Sequence, residues 1–306
     1  MCSLSDSGTR CDPALRGSAS RAALWTATLA LLSACGGGGS GSAPIPTVAS
    51  VSVSAPMYSQ SMVITVQGTD VNQQLFVSSP SCTGMSLSTV APFVSSSTTA
   101  YYRCRVSALG AGQVTVARAV DSVVVGNAAY TVPPPQVTMT VNNGAAFTGT
   151  MVFTLAPDRA PLTVDNFLNY VSTGFYIGTV FHRIAPNPAV IQGGGYLPIT
   201  PGTTPTLKTP GAPITLEVGK GLSNVQWSLG MARTAALNSA TSQFFINLVD
   251  NPQLDNLNGG YAVFGSVSAG TNVVSMISAA PCSPVANVSE CAPNPNVLIT
   301  AAEQTQ

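Results

Sequence analysis

Short runs in which apolar and polar residues alternate, separated by glycine, proline, asparagine or serine, recur along most of the chain. Between residues 48 and 132 they include VASVSVS, MVITVQG, YYRCRVSAL and QVTVARAV, with no convincing helical period. A period of two is typical of strands that bury one face. The segment therefore predicts a small β-sandwich, for which an immunoglobulin-like arrangement is one candidate.

Within this segment, Tyr102, Cys104 and Val106 fall on one face of a strand, so Cys104 is expected to point inward and bridge two sheets. The tyrosine two residues before the cysteine is similar to the tyrosine corner of immunoglobulin domains, although no tryptophan lies between Cys82 and Cys104. The segment has no histidine and no glycine-rich phosphate loop. It predicts a domain of unknown function, with a spacer favoured over a binding module.

Charged residues make up only 7% of the chain, and the formal net charge is zero. Nucleic-acid binding requires clustered lysine and arginine, so this composition argues against it. No apolar run reaches the roughly 18 residues that a membrane-spanning helix needs.

The N-terminal residues predict a targeting signal. Arg16 and Arg21 precede the apolar stretch at 22–32, and LSAC follows, ending at Cys35. This order resembles a bacterial lipoprotein signal, which implies lipidation of Cys35 and a membrane anchor. An ordinary secretory signal that contains a cysteine is the alternative. Because Gly36 is not the aspartate that retains lipoproteins in the inner membrane, the resemblance implies the outer membrane, facing the periplasm.

Four cysteines remain after the signal segment: Cys82, Cys104, Cys282 and Cys291. Four cysteines allow three pairings, and proximity favours Cys82–Cys104 and Cys282–Cys291. An oxidising compartment disfavours free thiols. The spacings are not those of a metal site, so no metal is predicted.

Three consecutive prolines at 133–135 predict a stiff linker, and the pattern changes after them. PLTVDNFLNYVSTGFY predicts a helix, because four apolar residues recur at helical spacing between Val164 and Val171. Strand-like runs and a second helix near 271–279 complete a predicted closed barrel capped by helices. The predicted segments are a signal peptide (1–34), a Gly/Ser-rich tether (35–47), a sandwich (48–132), a linker (133–135), a barrel domain (136–301) and a tail (302–306).

Four motifs in the barrel segment carry a family resemblance: FHRI, IQGGG, GMARTAALNSATSQFFINLVDN and GYAVFG. In this order and spacing they resemble the cyclophilins, the peptidyl-prolyl cis–trans isomerases, and above all bacterial periplasmic members. The resemblance covers residues 136–301 and implies a closed eight-stranded β-barrel capped by two helices. It further implies catalysis of protein folding on proline-containing polypeptide clients, with no cofactor.

By the same resemblance, Arg183 matches the catalytic arginine, Gln192 the glutamine that orients it, and Phe245 the phenylalanine of the proline pocket. Alternation in SQFFINL places Phe245 and Gln243 on the face opposite Phe244. His182, the sole histidine, is expected to be structural. The other matched substrate-binding positions are Val190, Ala189, Ala232, Gln243, Leu254, Tyr261 and Gln253.

Two positions depart from the family pattern. Ala189 stands where members carry a pocket phenylalanine, and Gln253 stands where they carry tryptophan or phenylalanine. Both changes predict a weaker apolar wall. They leave open a cyclophilin-fold peptide-binding module with little turnover, and an envelope scaffold that works through the first domain. The remaining expectations are a monomer, a membrane contact through the lipid anchor, and no nucleic-acid partner.

Overall fold

Strands dominate the computed structural model, which describes residues 44–200, 202–286 and 288–306. Pro44–Gln306 form one compact unit. The predicted signal peptide, lipidation at Cys35 and most of the tether lie outside the described residues. Between residue 44 and the prolines, the structure has nine strands: β1 (Thr47–Val53), β2 (Ser61–Thr69), β3 (Leu75–Ser78), β4 (Cys82–Leu87), β5 (Thr89–Val90), β6 (Phe93–Val94), β7 (Thr99–Val106), β8 (Gly110–Arg118) and β9 (Val124–Val132).

Two antiparallel sheets make up the N-terminal part, in the orders β1-β2-β7-β4 and β3-β8-β9, with β5 and β6 as a short separate ribbon. The seven longer strands follow the strand order of a constant-type immunoglobulin sandwich. Ile64, Val66, Val114 and Val116 fill the core because alternate residues of each strand point inward. The mainly β sandwich predicted for this segment is present.

The cysteine bridge of the sandwich differs from the expectation. Cys82 is joined to Cys104, with 5.5 Å between their Cα atoms, but β4 and β7 are neighbours in the same sheet. The expectation of an inter-sheet bridge is therefore wrong. The tyrosine-corner comparison is wrong too, because Tyr102 lies on β7, which occupies the place of the fifth strand and not the sixth.

Ten strands and two helices follow. They are β10 (Gln136–Asn142), β11 (Thr148–Leu155), α1 (Pro161–Ser172), β12 (Val180–Pro186), β13 (Ala189–Tyr196), β14 (Ser228–Met231), β15 (Phe244–Asn247), β16 (Val263–Ala269), α2 (Thr271–Ser278), β17 (Cys282–Val285), β18 (Val288–Pro293) and β19 (Val297–Gln304).

Eight of these strands close on themselves in the order β13-β15-β14-β16-β11-β10-β19-β12, because β12 also pairs with β13. The closed eight-stranded barrel with two helices is thus confirmed. Phe244 stands at the centre of its aromatic core, edge-on to Phe153, Phe167, Tyr176 and Phe181. Closure leaves no open sheet edge in this ring.

Helix α1 begins at Pro161, as its missing N–H allows, and buries Val164, Phe167, Leu168 and Val171. The Glu217 carboxylate accepts hydrogen bonds from the Leu162 and Thr163 amides at 3.2 and 2.8 Å, and so satisfies the free N–H groups of the first turn. No helix among the described residues is long and apolar enough to cross a membrane.

The C-terminal segment corrects the predicted end of the barrel domain. Strand β19 continues to Gln304 and pairs with β10, so residues 302–304 belong to the barrel and not to a tail. The segment from Cys282 to Pro293 forms the hairpin β17–β18, joined by the predicted Cys282–Cys291 bond. This hairpin extends the sheet beyond β12 through the pair Ile184 and Cys291.

Sandwich and barrel contact each other directly. The Gln304 amide donates to the Tyr58 carbonyl at 2.9 Å and accepts from Gln60 at 2.9 Å, while Arg105 approaches Asp165 of α1 at 3.2 Å. The prolines at 133–135 separate β9 from β10. The domain boundary there stays a prediction.

Candidate active site

Three neighbouring strands bring together the residues matched as catalytic. On β12 and β13, Arg183 lies opposite Gln192, and on β13 and β15, Gln192 lies opposite Phe245. Antiparallel partners that stand opposite each other point to the same face of a sheet. Arg183, Gln192 and Phe245 therefore form a row across the barrel wall, although Phe245 lies far from the other two along the chain.

This row opens into a cleft of about 300 Å³. One side is apolar: the buried Phe245, Val190 and Leu254 pack with Ala232 and Tyr261. The other side carries guanidinium and amide groups. The lining residues are His182, Arg183, Pro188, Val190, Gln192, Tyr196, Ala232, Arg233, Gln243, Phe245, Leu254, Leu257 and Tyr261.

Phe245 forms the floor of the apolar side, with its ring edge-on to Tyr261 at a centroid distance of 5.8 Å. Behind it lies Gly230, directly opposite on β14. A methyl group added at Gly230 would come within 2.1 Å of the Phe245 ring. Only glycine leaves room for the ring in this position, because any side chain would force the ring to move.

A chain of hydrogen bonds crosses the polar side. Arg183 Nη1 donates to Gln192 Oε1 at 3.0 Å, and Gln192 Nε2 donates to Gln243 Oε1 at 2.9 Å. From outside the cleft, Glu290 on β18 accepts from Arg183 Nη2 at 2.9 Å and from Nε. The guanidinium is thus held on two sides, and this orientation fixes where its remaining N–H groups point.

Two predicted substrate-binding residues lie elsewhere. Ala189 begins β13, and its carbonyl accepts hydrogen bonds from Leu248 and Asn251, while Pro188 takes its place on the cleft wall. Gln253 is exposed on a short 3₁₀-helix, Pro252–Asp255, and donates to Asn251 Oδ1. Neither belongs to the lining, so their departure from the family pattern leaves the apolar floor of the cleft unchanged.

Other residues of the site were missed by sequence reasoning. Arg233 lies over the Tyr261 ring at 4.6 Å and donates to the Gly260 and Asn258 carbonyls, which fixes the loop that ends in Tyr261. The sequence signal that could have identified Arg233 is its position next to Ala232, a matched substrate-binding residue. Glu290 had no such signal, because 107 residues separate it from Arg183.

His182 is buried, with its ring 4.7 Å from Tyr196. Burial lowers the pKa of His182 to about 4, and the neighbouring Arg183 charge acts in the same direction. The imidazole is therefore neutral near pH 7, which fits a structural role better than that of a proton donor.

Because His182 is buried, the free energy of unfolding should depend on pH. The unfolded pKa of His182 is near 6.5 and the folded pKa about 4, so the unfolded chain takes up the proton first as pH falls. The free energy of unfolding should therefore drop by about 3 kcal/mol from this residue between pH 6.5 and 4. Denaturant unfolding across this range should show a smaller drop for His182→Gln. Equal drops would contradict the assignment.

Among the described residues, no group of three histidine, cysteine, aspartate or glutamate side chains could hold a metal ion. The cleft offers a fixed cationic donor, two amide groups and a buried apolar floor. Such a surface can bury a small apolar ring while directing an N–H group at a neighbouring polar atom.

Comparison with known proteins agrees with this geometry. Residues 136–304 match the family described as cyclophilin type peptidyl-prolyl cis-trans isomerase. This match covers more than half of the chain, and the chain belongs to that family.

Curated bacterial relatives share the same segment. A peptidyl-prolyl cis-trans isomerase of Acinetobacter baylyi is 47% identical over 119 residues, which are 38% of this chain and 60% of the relative. Isomerase A of Dickeya dadantii is 44% identical over 37% of this chain and 57% of its own length. Isomerase B of Escherichia coli is 47% identical over 36% and 67%. The chain thus spans about 57% to 67% of these relatives.

Among solved structures, a cyclophilin type isomerase of Cryptosporidium parvum aligns over 57% of this chain and 99% of its own, at 22% identity and a TM-score of 0.45. The family assignment rests on the sequence match and not on this likeness.

Proposed function

We propose that the barrel domain catalyses cis–trans isomerisation of X–Pro peptide bonds in polypeptide clients. The observation that carries the proposal is the row of Arg183, Gln192 and Phe245 in register across three strands. The relatives named as peptidyl-prolyl isomerases, which match this segment at 44–47% identity, support the same activity.

The reaction needs little from the protein apart from position. Partial double-bond character gives the peptide bond a rotation barrier of ~18–20 kcal/mol. When the bond is twisted, the resonance is lost and the proline nitrogen gains a lone pair that can accept a hydrogen bond. A donor aimed at that nitrogen binds the twisted state better than either planar state, and this difference is what lowers the barrier.

Each part of the cleft has a role in that step. The apolar floor of Phe245, Val190 and Leu254 would take the proline ring and exclude water. Arg183, always protonated, would direct an N–H at the nitrogen of the twisted bond. Gln192 would keep the guanidinium aligned through the 3.0 Å bond from Nη1. Every tenfold gain in rate requires only ~1.36 kcal/mol.

Exchange spectroscopy on a short peptide with an Ala–Pro bond tests the proposal. The cis and trans forms interconvert in tens to hundreds of seconds without catalysis. Adding catalytic amounts of the protein should bring the exchange into the range that NMR magnetisation transfer detects. A peptide that exchanges at its rate in buffer, while its signals shift on binding, would instead favour a binding module.

That second candidate, a peptide-binding module with little turnover, has one observation in its favour. Glu290 already occupies two of the Arg183 donors, which leaves fewer for a substrate. Family membership and the intact apolar floor weigh towards the enzyme.

We propose further that the clients are proteins of the bacterial envelope and that the chain is anchored by lipid at Cys35. Supporting this are the LSAC motif after an apolar stretch and the two disulfides, which belong to an oxidising compartment.

Cell fractionation tests the anchor. Cys35→Ser should release the protein from the membrane fraction or leave an unprocessed precursor, because serine cannot form the thioether to the lipid. Cys11→Ser, upstream of the apolar stretch, is the control and should change nothing. A membrane fraction that is the same for Cys35→Ser and the unmodified chain would rule out the anchor.

A further inference from the structure

Arg183 is bound by a carboxylate from outside the barrel, that of Glu290. Glu290 lies on the hairpin β17–β18, outside the closed ring of eight strands. Its carboxylate meets the guanidinium side-on, with Oε1 at 2.9 Å from Nη2 and Oε2 against Nε. Side-on contact by both oxygens is among the strongest arrangements for an arginine and a carboxylate.

Glu290 contacts Arg183 in a way that holds the guanidinium without blocking its access to the cleft. Glu290 does not line the cleft, whereas Arg183 and Gln192 do. The carboxylate uses the Nε and Nη2 edge, and Gln192 uses Nη1. Of the five N–H groups of a guanidinium, one on Nη1 and one on Nη2 have no protein partner among the described residues. These two stay available to a ligand.

The hairpin is built so as to bring this carboxylate to the arginine. Cys291, the next residue, pairs with Ile184, which follows Arg183 on β12. The Cys282–Cys291 bond ties the two strands of the hairpin together at the same point. Glu290 itself adopts a φ of 67°, a left-handed conformation that non-glycine residues rarely take. The hairpin thus keeps an unfavourable backbone conformation where the ion pair is made.

The contact between Arg183 and Glu290 is partly buried. The side chains of Arg183 and Glu290 are only 19% and 29% exposed, so the pair is partly shielded from water. An arginine side chain has four rotatable bonds and loses much of its freedom when it is fixed. Without the carboxylate, the bond to Gln192 is the remaining hydrogen bond of the guanidinium within the described part of the chain.

We propose that Glu290 is a positioning residue, which holds the Arg183 guanidinium in the orientation that serves the twisted peptide bond. This inference rests on the proposed isomerase activity. It assigns a part in catalysis to a hairpin that lies outside the barrel. Glu290 acts through Arg183 and does not touch the substrate.

Kinetics of Glu290→Gln test the inference. Glutamine keeps the size of the side chain but removes the charge and one of the two acceptors. kcat should fall by about tenfold to a hundredfold, the range that misplacement of a catalytic group produces. KM should change less than twofold, because the apolar floor is untouched. The control is Glu303→Gln, an exposed carboxylate on β19, which should keep both constants. An unchanged or raised kcat in Glu290→Gln would overturn the inference.

A double-mutant cycle excludes a merely structural role. In the Arg183→Ala background, Glu290→Gln should have no further effect on the residual rate, since nothing remains to be positioned. A further loss of equal size would mean that Glu290 acts on the fold and not through Arg183.

A readout without activity separates this inference from the function itself. The Arg183 Nε–H signal in NMR, assigned with Arg183→Lys, should be shifted and protected from exchange with water, and Glu290→Gln should abolish both effects. If the unmodified protein shows no isomerase activity, the proposed function fails, and with it the catalytic role of Glu290. If the unmodified protein is active but Glu290→Gln changes neither the Nε–H signal nor kcat, only the positioning role fails.

Discussion

Arg183→Ala should lower kcat/KM for an Ala–Pro peptide by about a hundredfold to a thousandfold, the usual effect of removing one donor that stabilises a transition state. The guanidinium lies in one row with Gln192 and the Phe245 floor. Alanine removes that donor, while the apolar floor and the barrel stay intact. The loss should therefore lie mostly in kcat, as measured by NMR exchange at several peptide concentrations.

Arg159→Ala is the matched control, because Arg159 is a barrel arginine whose side chain is 52% exposed. It should keep the kinetic constants of the unmodified protein. Far-UV circular dichroism of both variants should be unchanged. An Arg183→Ala protein that retains most of its kcat would remove the arginine from the mechanism and with it the role of Glu290.

Gly230→Ala should raise KM by at least about tenfold, which corresponds to ~1.4 kcal/mol of lost binding. The added methyl group would lie within 2.1 Å of the Phe245 ring, a distance that no real contact tolerates. Tyr261 and Leu254 pack around the ring, so the open direction is the cleft. We expect the ring to move there and fill the space for proline. Crowding of this kind also costs about 1–3 kcal/mol of stability.

Gly211→Ala is the control for this substitution, because its methyl group would come no nearer than 3.3 Å to a neighbour, the Tyr170 hydroxyl. It should leave KM unchanged. Peptide titrations and denaturant unfolding together separate the two effects of Gly230→Ala. If KM stays constant while stability falls, the Phe245 ring is not the floor of the binding site.

The sequence predicts the parts of this fold whose pattern repeats locally. Alternation in SQFFINL separates Phe244, at the aromatic centre of the barrel, from Phe245 in the cleft. The helical spacing from Val164 to Val171 predicts α1 and its buried face. Both depend on residues within one or two turns of each other, where the period of the backbone determines which side is buried.

Contacts between segments that are distant in the sequence are harder to predict from it. Nothing in the sequence around Cys282 indicates a hairpin, because its strands are short and contain prolines. The Cys82–Cys104 bridge was expected between two sheets, but the pairing of β4 with β7 depends on the order in which strands assemble. Alternation shows which face is buried and not which strand lies beside it.

The family motifs predict that Arg183, Gln192 and Phe245 belong to the site, but not which residues bound the cleft. Ala189 and Gln253 were aligned to wall positions, and the structure places Pro188 on the wall instead. Matching by position does not show that β13 starts at Ala189 and that Pro188 faces the cleft. Arg233 and Glu290 reach the site through loop and hairpin geometry that a motif does not encode.

The order of strands in the barrel has a consequence for synthesis. β10 is the first barrel strand to leave the ribosome, yet one of its two neighbours is β19, which is made more than 150 residues later. Until then β10 and β12 each present a strand edge that can pair with other chains. All strands of the sandwich are synthesised before any barrel strand. Tyr58 and Gln60 therefore form their hydrogen bonds to Gln304 only after the last barrel strand has been made. For a chain proposed to assist the folding of other proteins, the barrel is therefore the slow and exposed part of its own folding.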